Sequence, residues 1–239
     1  MSGSTDQASV VLVHGAWADG SSWNDVTGAL LSMGINVLAA PLPLTSLSDD
    51  VAALDRALER TAGPVVLVGH AYAGAVIGST RNARVRALVF IAALAPAEGE
   101  TVADVFFRAA AHAAAPQLGP DADGFIWMPQ PAFATAFAQH APAVRIALLA
   151  ATQRPINLAC IQEKAARPAW TSTPSWYLVA EEDRMINPDT QRFMAGRMGA
   201  RIRSERVDHT PSVSAPKHVI RMILDAVSAP EIRPDVPES

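Results

Sequence analysis

Residues 65–74 read Val65-Val66-Leu67-Val68-Gly69-His70-Ala71-Tyr72-Ala73-Gly74. The first four are apolar on every side, which suits a strand buried on both faces and not a half-solvated one. The run is too short for a helix and stops at Gly69. From Tyr72 to Thr80 the chain turns to small and apolar residues over a helical length. A buried strand that passes straight into a helix is the building unit of a parallel sheet.

The same rhythm continues outward. Val10–Val13, Ile35–Ala39, Ala87–Ala92, Ser175–Val179 and Arg201–Val207 read as further strands. Between them, Trp23, Val26, Leu30 and Met33 carry helical spacing up to Gly34, a residue that closes a helix at positive φ. Ser48 is the expected cap of a helix with Val51, Leu54 and Leu58 on its apolar face. Val219, Ile220, Ile223 and Val227 mark a terminal helix. From Ala95 to Thr173 the alternation fails, and alanines, prolines and scattered aromatics replace it without a clear strand. The expectation is an α/β fold: a mostly parallel central sheet with helices on both faces and a helical cap insertion. Residues 1–94 and 174–228 form the core, 95–173 the cap and 229–239 a loose tail.

Composition narrows the function classes. Half of the 239 residues are hydrophobic and 18% are charged, enough for a large core. A net charge of −4 offers no electrostatic footprint for nucleic acid, so no nucleic-acid partner is expected. A single cysteine, Cys160, excludes an internal disulfide and a multi-cysteine metal site. Three uncharged stretches, Val26–Ser48, Thr61–Thr80 and Gly124–Val144, are each broken by glycine or proline, so no membrane span is expected. The opening MSGSTDQAS has neither a basic start nor an apolar run, which makes a cytoplasmic location the default reading.

The turn at Gly69-His70-Ala71-Tyr72-Ala73 has the form of a nucleophile elbow, Gly-x-Ser-x-Gly, with Ala73 as a small-residue variant of the second glycine and Ala71 at the centre. Three further anchors accompany it: His14-Gly15-Ala16-Trp17 after the first strand, Glu182-Asp183-Arg184 with Asn187-Pro188 after a late strand, and Asp208-His209 near the end. On these motifs, over nearly the whole chain, the sequence resembles the α/β-hydrolases, in particular small bacterial esterases related to plant methylesterases and hydroxynitrile lyases.

The resemblance implies Ala71 at the nucleophile position, His209 as general base and Asp183 as the acid that orients it. Glu181 and Glu182 compete for the acid role, and the family spacing favours Asp183. Backbone N–H groups of Ala16 and Tyr72 would form the oxyanion hole. Trp17 and Trp127 are candidates for the substrate pocket, and the Tyr72 ring either lines it or packs. His14 and His70 read as structural; His112, His140 and His218 as bystanders; Asp208 as solvated. Thr210 stands where hydroxynitrile lyases of this kind place a lysine, which favours ester hydrolysis. No metal or cofactor is implied. The expected partner is a small apolar or aromatic ester or lactone, and a homodimer is left open.

Alanine cannot attack a carbonyl. Ala71 admits three readings: an engineered serine-to-alanine exchange in a working hydrolase, a natural non-catalytic binding protein, or chemistry needing no nucleophile there. The first leads, because every other part of the hydrolytic apparatus is present.

Overall fold

The computed structural model describes residues 8–232, so the opening residues and those after Ile232 lie outside it. Six parallel strands form the central sheet: β1 (Ser9–Val13), β2 (Asn36–Ala40), β3 (Val65–His70), β4 (Val85–Ile91), β7 (Ser175–Ala180) and β8 (Arg201–Glu205). Their order is β2-β1-β3-β4-β7-β8. The chain therefore runs from β1 out to one edge and returns to β3 on the other side of β1. Ligands of open parallel sheets collect at such a switch, outside the carboxyl ends of the strands.

Alternation along the buried strands divides the core into two layers. Val11, Val13, Leu67, Leu88, Phe90 and Tyr177 face α2 (Leu47–Leu58) and α3 (Ala73–Ser79). Val10, Leu12, Val66, Val68, Val89 and Trp176 face the other way, where Leu30 of α1 (Asn24–Ser32) and Val219, Met222 and Ile223 of the helix Pro216–Val227 cover them. Hence β1 and β3 are apolar on both faces. Among the described residues no helix is long and apolar enough to cross a membrane.

Several local expectations need correction. The cap of α2 is Ser46, whose extended backbone (φ −158°) lets its side chain accept from the Asp49 N–H; Ser48 lies inside the helix. The region between β4 and β7 is a mainly helical cap, yet it holds a small antiparallel pair, β5 (Phe125–Ile126) with β6 (Ile156–Asn157). Two residues per strand are too few to show an alternation. Of the tail expected at 229–239, Pro230–Ile232 is a short 3₁₀ turn with Ile232 buried against the sheet, and residues 233–239 lie outside the described residues.

Candidate active site

The elbow lies where β3 becomes α3. Ala71 has φ +49°, a left-handed conformation that is uncommon for a residue with a Cβ. Three backbone bonds hold it there: its N–H donates to Ile91 O (3.2 Å), and its carbonyl accepts from Leu94 N (2.9 Å) and Gly74 N (3.1 Å). The small neighbours are needed because main chains pass close by. A Cβ on Gly69 would come within 2.9 Å of Ala73 O, and one on Gly74 within 2.4 Å of Leu94 O. Across the β1/β3 switch, a Cβ on Gly15 would meet His70 O at 2.9 Å and Ala71 Cβ at 3.0 Å. The loop after β1 is thus pressed directly against the methyl of Ala71.

Asp183 and His209 come from the loops after β7 and β8, and both are buried. His209 Nδ1 lies 2.8 Å from Asp183 Oδ2, although 26 residues separate them in sequence. Asp183 is held in turn: Oδ1 accepts from Met185 N (2.7 Å) and Ile186 N (2.9 Å), and Oδ2 also accepts from Gln191 Nε2 (2.8 Å). The carboxylate directs the imidazole proton to Nδ1. Nε2 then carries the free lone pair, with no protein partner among the described residues and without being sealed from solvent. Glu181 pairs with Arg192, and Glu182 with His140 and Arg206, so neither competes for His209.

His14 and His70 tie loops together. The His14 Nε2 accepts from Leu42 N (3.1 Å), which leaves Nδ1–H to donate to Gly15 O (2.9 Å); burial lowers its pKa. His70 Nε2–H donates to the His209 carbonyl (2.7 Å). Burial, and then the neighbouring His209, bring the His70 pKa down to about 3, so its ring stays neutral. His112 is exposed, and His218 pairs with Glu205.

Of the pocket candidates, Trp17 has φ +57°, donates from Nε1 to Ile126 O (2.9 Å) and meets Phe137 edge-on at 6.3 Å between centroids. Trp127 is 52% exposed and its Nε1 reaches Asp121 on the outside of the cap (3.3 Å), so it does not line a buried site. Tyr72 packs in the core layer, and its buried phenol donates to Asp50 Oδ2 (2.7 Å). Asp208, expected in solvent, is fully buried and accepts from His140 N (2.9 Å), Thr210 N (3.2 Å) and Ser214 Oγ (2.5 Å).

Two further residues lie near the dyad; Gln191 carries no signal in the sequence, and Phe137 stands out there only as one of the cap's scattered aromatics. Gln191 locks Asp183 from a helix (Pro188–Arg197) whose sequence suggests only a surface. Phe137 lies on a π-helical turn of the cap (Phe133–Phe137) with its ring 5.2 Å from that of His209. Two surface depressions, of about 440 and 670 Å³, lie around Thr80 and Thr173 and around Trp176 and Arg203; neither includes Ala71, Asp183 or His209.

Comparison with known proteins gives the same fold. No curated protein sequence matches the chain. Among solved structures, the chain is similar to a polyneuridine aldehyde esterase, with 20% identity, 92% of this chain and 99% of that one covered, and a TM-score of 0.75. It is similar to a pyrethroid hydrolase from Sphingobium faniae JZ-2, with 19% identity, coverage of 94% and 99%, and a TM-score of 0.78. An extracellular alpha/beta-hydrolase from a Paenibacillus species gives 20% identity, coverage of 93% and 100%, and a TM-score of 0.76. At these identities the likeness establishes the fold. Residues 10–221 match the alpha/beta hydrolase family itself, and the chain belongs to that family.

Proposed function

We propose that this site is built to hydrolyse a carboxylic ester or lactone through a serine at position 71, and that the chain with alanine there binds such a substrate without turning it over. The supporting observation is the buried His209–Asp183 contact of 2.8 Å, with Nε2 left unengaged, at the sheet edge that carries the elbow. With serine at 71, Nε2 takes the hydroxyl proton as Oγ bonds to the carbonyl carbon. The carbonyl π electrons move onto oxygen, where the N–H groups of Ala16 and Tyr72 receive the charge. Collapse expels the alkoxide, which takes the proton back from His209. A water deprotonated by His209 then attacks the acyl carbon, and as the second tetrahedral intermediate collapses the bond to Oγ breaks, Oγ regains the proton from His209 and the acid leaves. No cofactor enters these steps. The aromatic surface of Trp17 beside Phe137 favours an apolar or aromatic acyl or alcohol group.

The test is Ala71→Ser, assayed with short and medium nitrophenyl esters. Loss of a comparable nucleophile lowers turnover on the order of 10⁶-fold, so the substitution is expected to raise it by orders of magnitude. The gain must vanish in Ala71→Ser/His209→Ala. Ala71 itself favours a second reading, a natural small-molecule binding protein. Saturable binding by the present chain with no gain from Ala71→Ser selects that reading and overturns the first. The codon in the source gene shows whether the exchange at position 71 is engineered or natural.

A further inference from the structure

Behind the elbow, on the α2 side of the sheet, lies a buried polar cluster that the hydrolytic steps do not use. Asp50 of α2 is completely buried in an otherwise apolar layer that includes Leu54, Leu58 and Val76. Burial of this kind raises the pKa of its carboxyl group. Three donors meet it. Oδ2 accepts from the Tyr72 hydroxyl at 2.7 Å and faces the Cys160 thiol at 3.6 Å; Oδ1 accepts from Leu44 N at 2.7 Å. The Cys160 thiol is buried and its pKa is pushed up to about 12, so it is a donor and not a nucleophile.

These donors lead to both sides of the oxyanion hole. Tyr72 directly follows Ala71, and its backbone N–H is one of the two donors assigned above to the oxyanion. Leu44 is held at φ +61° in the loop between β2 and α2. Two residues earlier in that loop, the Leu42 N–H donates to His14 Nε2, and His14 Nδ1 holds Gly15 O beside the second donor, Ala16. The cap joins the same loop: Asn157 N donates to Leu44 O at 3.0 Å, and Cys160 belongs to the next helical turn, Leu158–Gln162. One carboxylate therefore lies a single side chain from one oxyanion donor and a short relay of hydrogen bonds from the other.

We propose that Asp50 is a positioning residue that sets the two oxyanion donors, and the cap above them, relative to one another. The assignment of a role in turnover rests on the hydrolytic reading of the site; the mechanical linkage does not. An asparagine at position 50 offers a single carbonyl oxygen. If that oxygen stays with Tyr72, the NH₂ confronts Leu44 N–H; if it stays with Leu44 N, the Tyr72 hydroxyl must turn to accept from the NH₂ and its own proton loses the acceptor it had on Asp50. Either choice alters one side of the linkage.

Two measurements test this. In the present chain, amide NMR spectra of Asp50→Asn should show displacement of the Ala16 resonance, which Asp50 does not touch, together with that of Tyr72. Unmoved Ala16 in both Asp50→Asn and Tyr72→Phe overturns the linkage. In the Ala71→Ser form, Asp50→Asn should lower kcat between about 10- and 100-fold, the range for a displaced oxyanion donor, with KM changed less than about threefold. The pH dependence of kcat should keep its position, because the dyad is untouched. An unchanged kcat, or kcat and KM worsening together, overturns the role in turnover. If Ala71→Ser hydrolyses nothing, the hydrolytic reading falls with the role in turnover, while the Ala16 resonance still decides the linkage.

Discussion

Asparagine at position 183 changes one oxygen to an NH₂ at almost constant volume, and the surrounding donors determine its effect. Oδ1 serves two backbone N–H groups, of Met185 and Ile186, so the asparagine keeps its oxygen there. The NH₂ then points at the two donors that Oδ2 used to accept, His209 Nδ1 and Gln191 Nε2. The imidazole can adapt by moving its proton to Nε2, after which Nδ1 accepts. Gln191 cannot. Its other amide proton is committed to Ile186 O (2.9 Å) and its Oε1 accepts from Ala180 N (2.9 Å), so turning the amide over would break both bonds. One donor is left facing a donor.

A buried unsatisfied donor costs about 1–3 kcal/mol. For a domain of this size that lowers Tm by roughly 2–12 °C. Asp183→Ala strands all four donors and should cost more, about 3–5 kcal/mol by analogy with a broken buried pair. Calorimetry of the present chain and its two variants measures these losses. Nitrogen NMR of the imidazole reads the tautomer directly: Nδ1–H in the parent, Nε2–H in Asp183→Asn. In the Ala71→Ser form an imidazole with its proton on Nε2 cannot accept the serine proton, and turnover should fall on the order of 10⁴-fold. An Asp183→Asn chain that melts within about 0.5 kcal/mol of its parent, as a surface change would, and keeps the tautomer refutes the reasoning.

The neutral His70 sets a pH dependence. Its pKa is about 3 in the folded chain and 6.5 when free, so between these values the unfolded chain binds a proton that the folded one refuses. Stability is therefore complete above 6.5 and declines as pH falls toward 3, by up to about 1.4 kcal/mol for each pH unit. His70→Gln keeps a donor for His209 O and should flatten a plot of Tm against pH; an equally steep plot rejects the assignment. For the pocket, Trp17→Ala should weaken binding of aromatic esters to the present chain at least about tenfold, the loss of one well-packed aromatic contact. Trp127→Ala should leave it unchanged, and isothermal titration distinguishes the two.

Legibility in the sequence followed the range of the interactions. The inner strands β1, β3, β4 and β7 could be read because burial on both faces leaves long apolar runs, as in Val65–Val68, whereas the edge strands β2 and β8 are part-exposed and β8 is largely polar. Asp183 and His209 could be picked out only through the family spacing, since nothing local distinguishes Asp183 from Glu181 and Glu182. Contacts made by single polar side chains across long separations left no trace. Asp208 looked solvated because an aspartate beside a histidine has no pattern, and its burial depends on His140, 68 residues away. Trp127 and Trp17 looked alike as aromatic residues; only the path of the cap puts one ring outside and the other beside Phe137.

That path is governed by the segment Thr135–His140. Arg184 donates to Thr135 O (2.8 Å) and Gln139 to Glu182 O (2.7 Å), which fastens the segment to the loop carrying Asp183. Thr210 Oγ1 donates to Phe137 O (2.7 Å) and Asp208 accepts from His140 N, which fastens it to the loop carrying His209. The cap thus grips both halves of the dyad at once, and the π-helical turn presents Phe137 to the imidazole between the two grips. A rigid lid held this way keeps the His209–Asp183 contact out of water, where a charge-assisted hydrogen bond is worth more. The same construction explains why the dyad is fully built although Ala71 cannot use it: the bonds that hold Asp183 and His209 in place come from their own loops, from Gln191 on the helix Pro188–Arg197 and from His70, with the cap fastened to both loops, and none comes from the side chain at position 71.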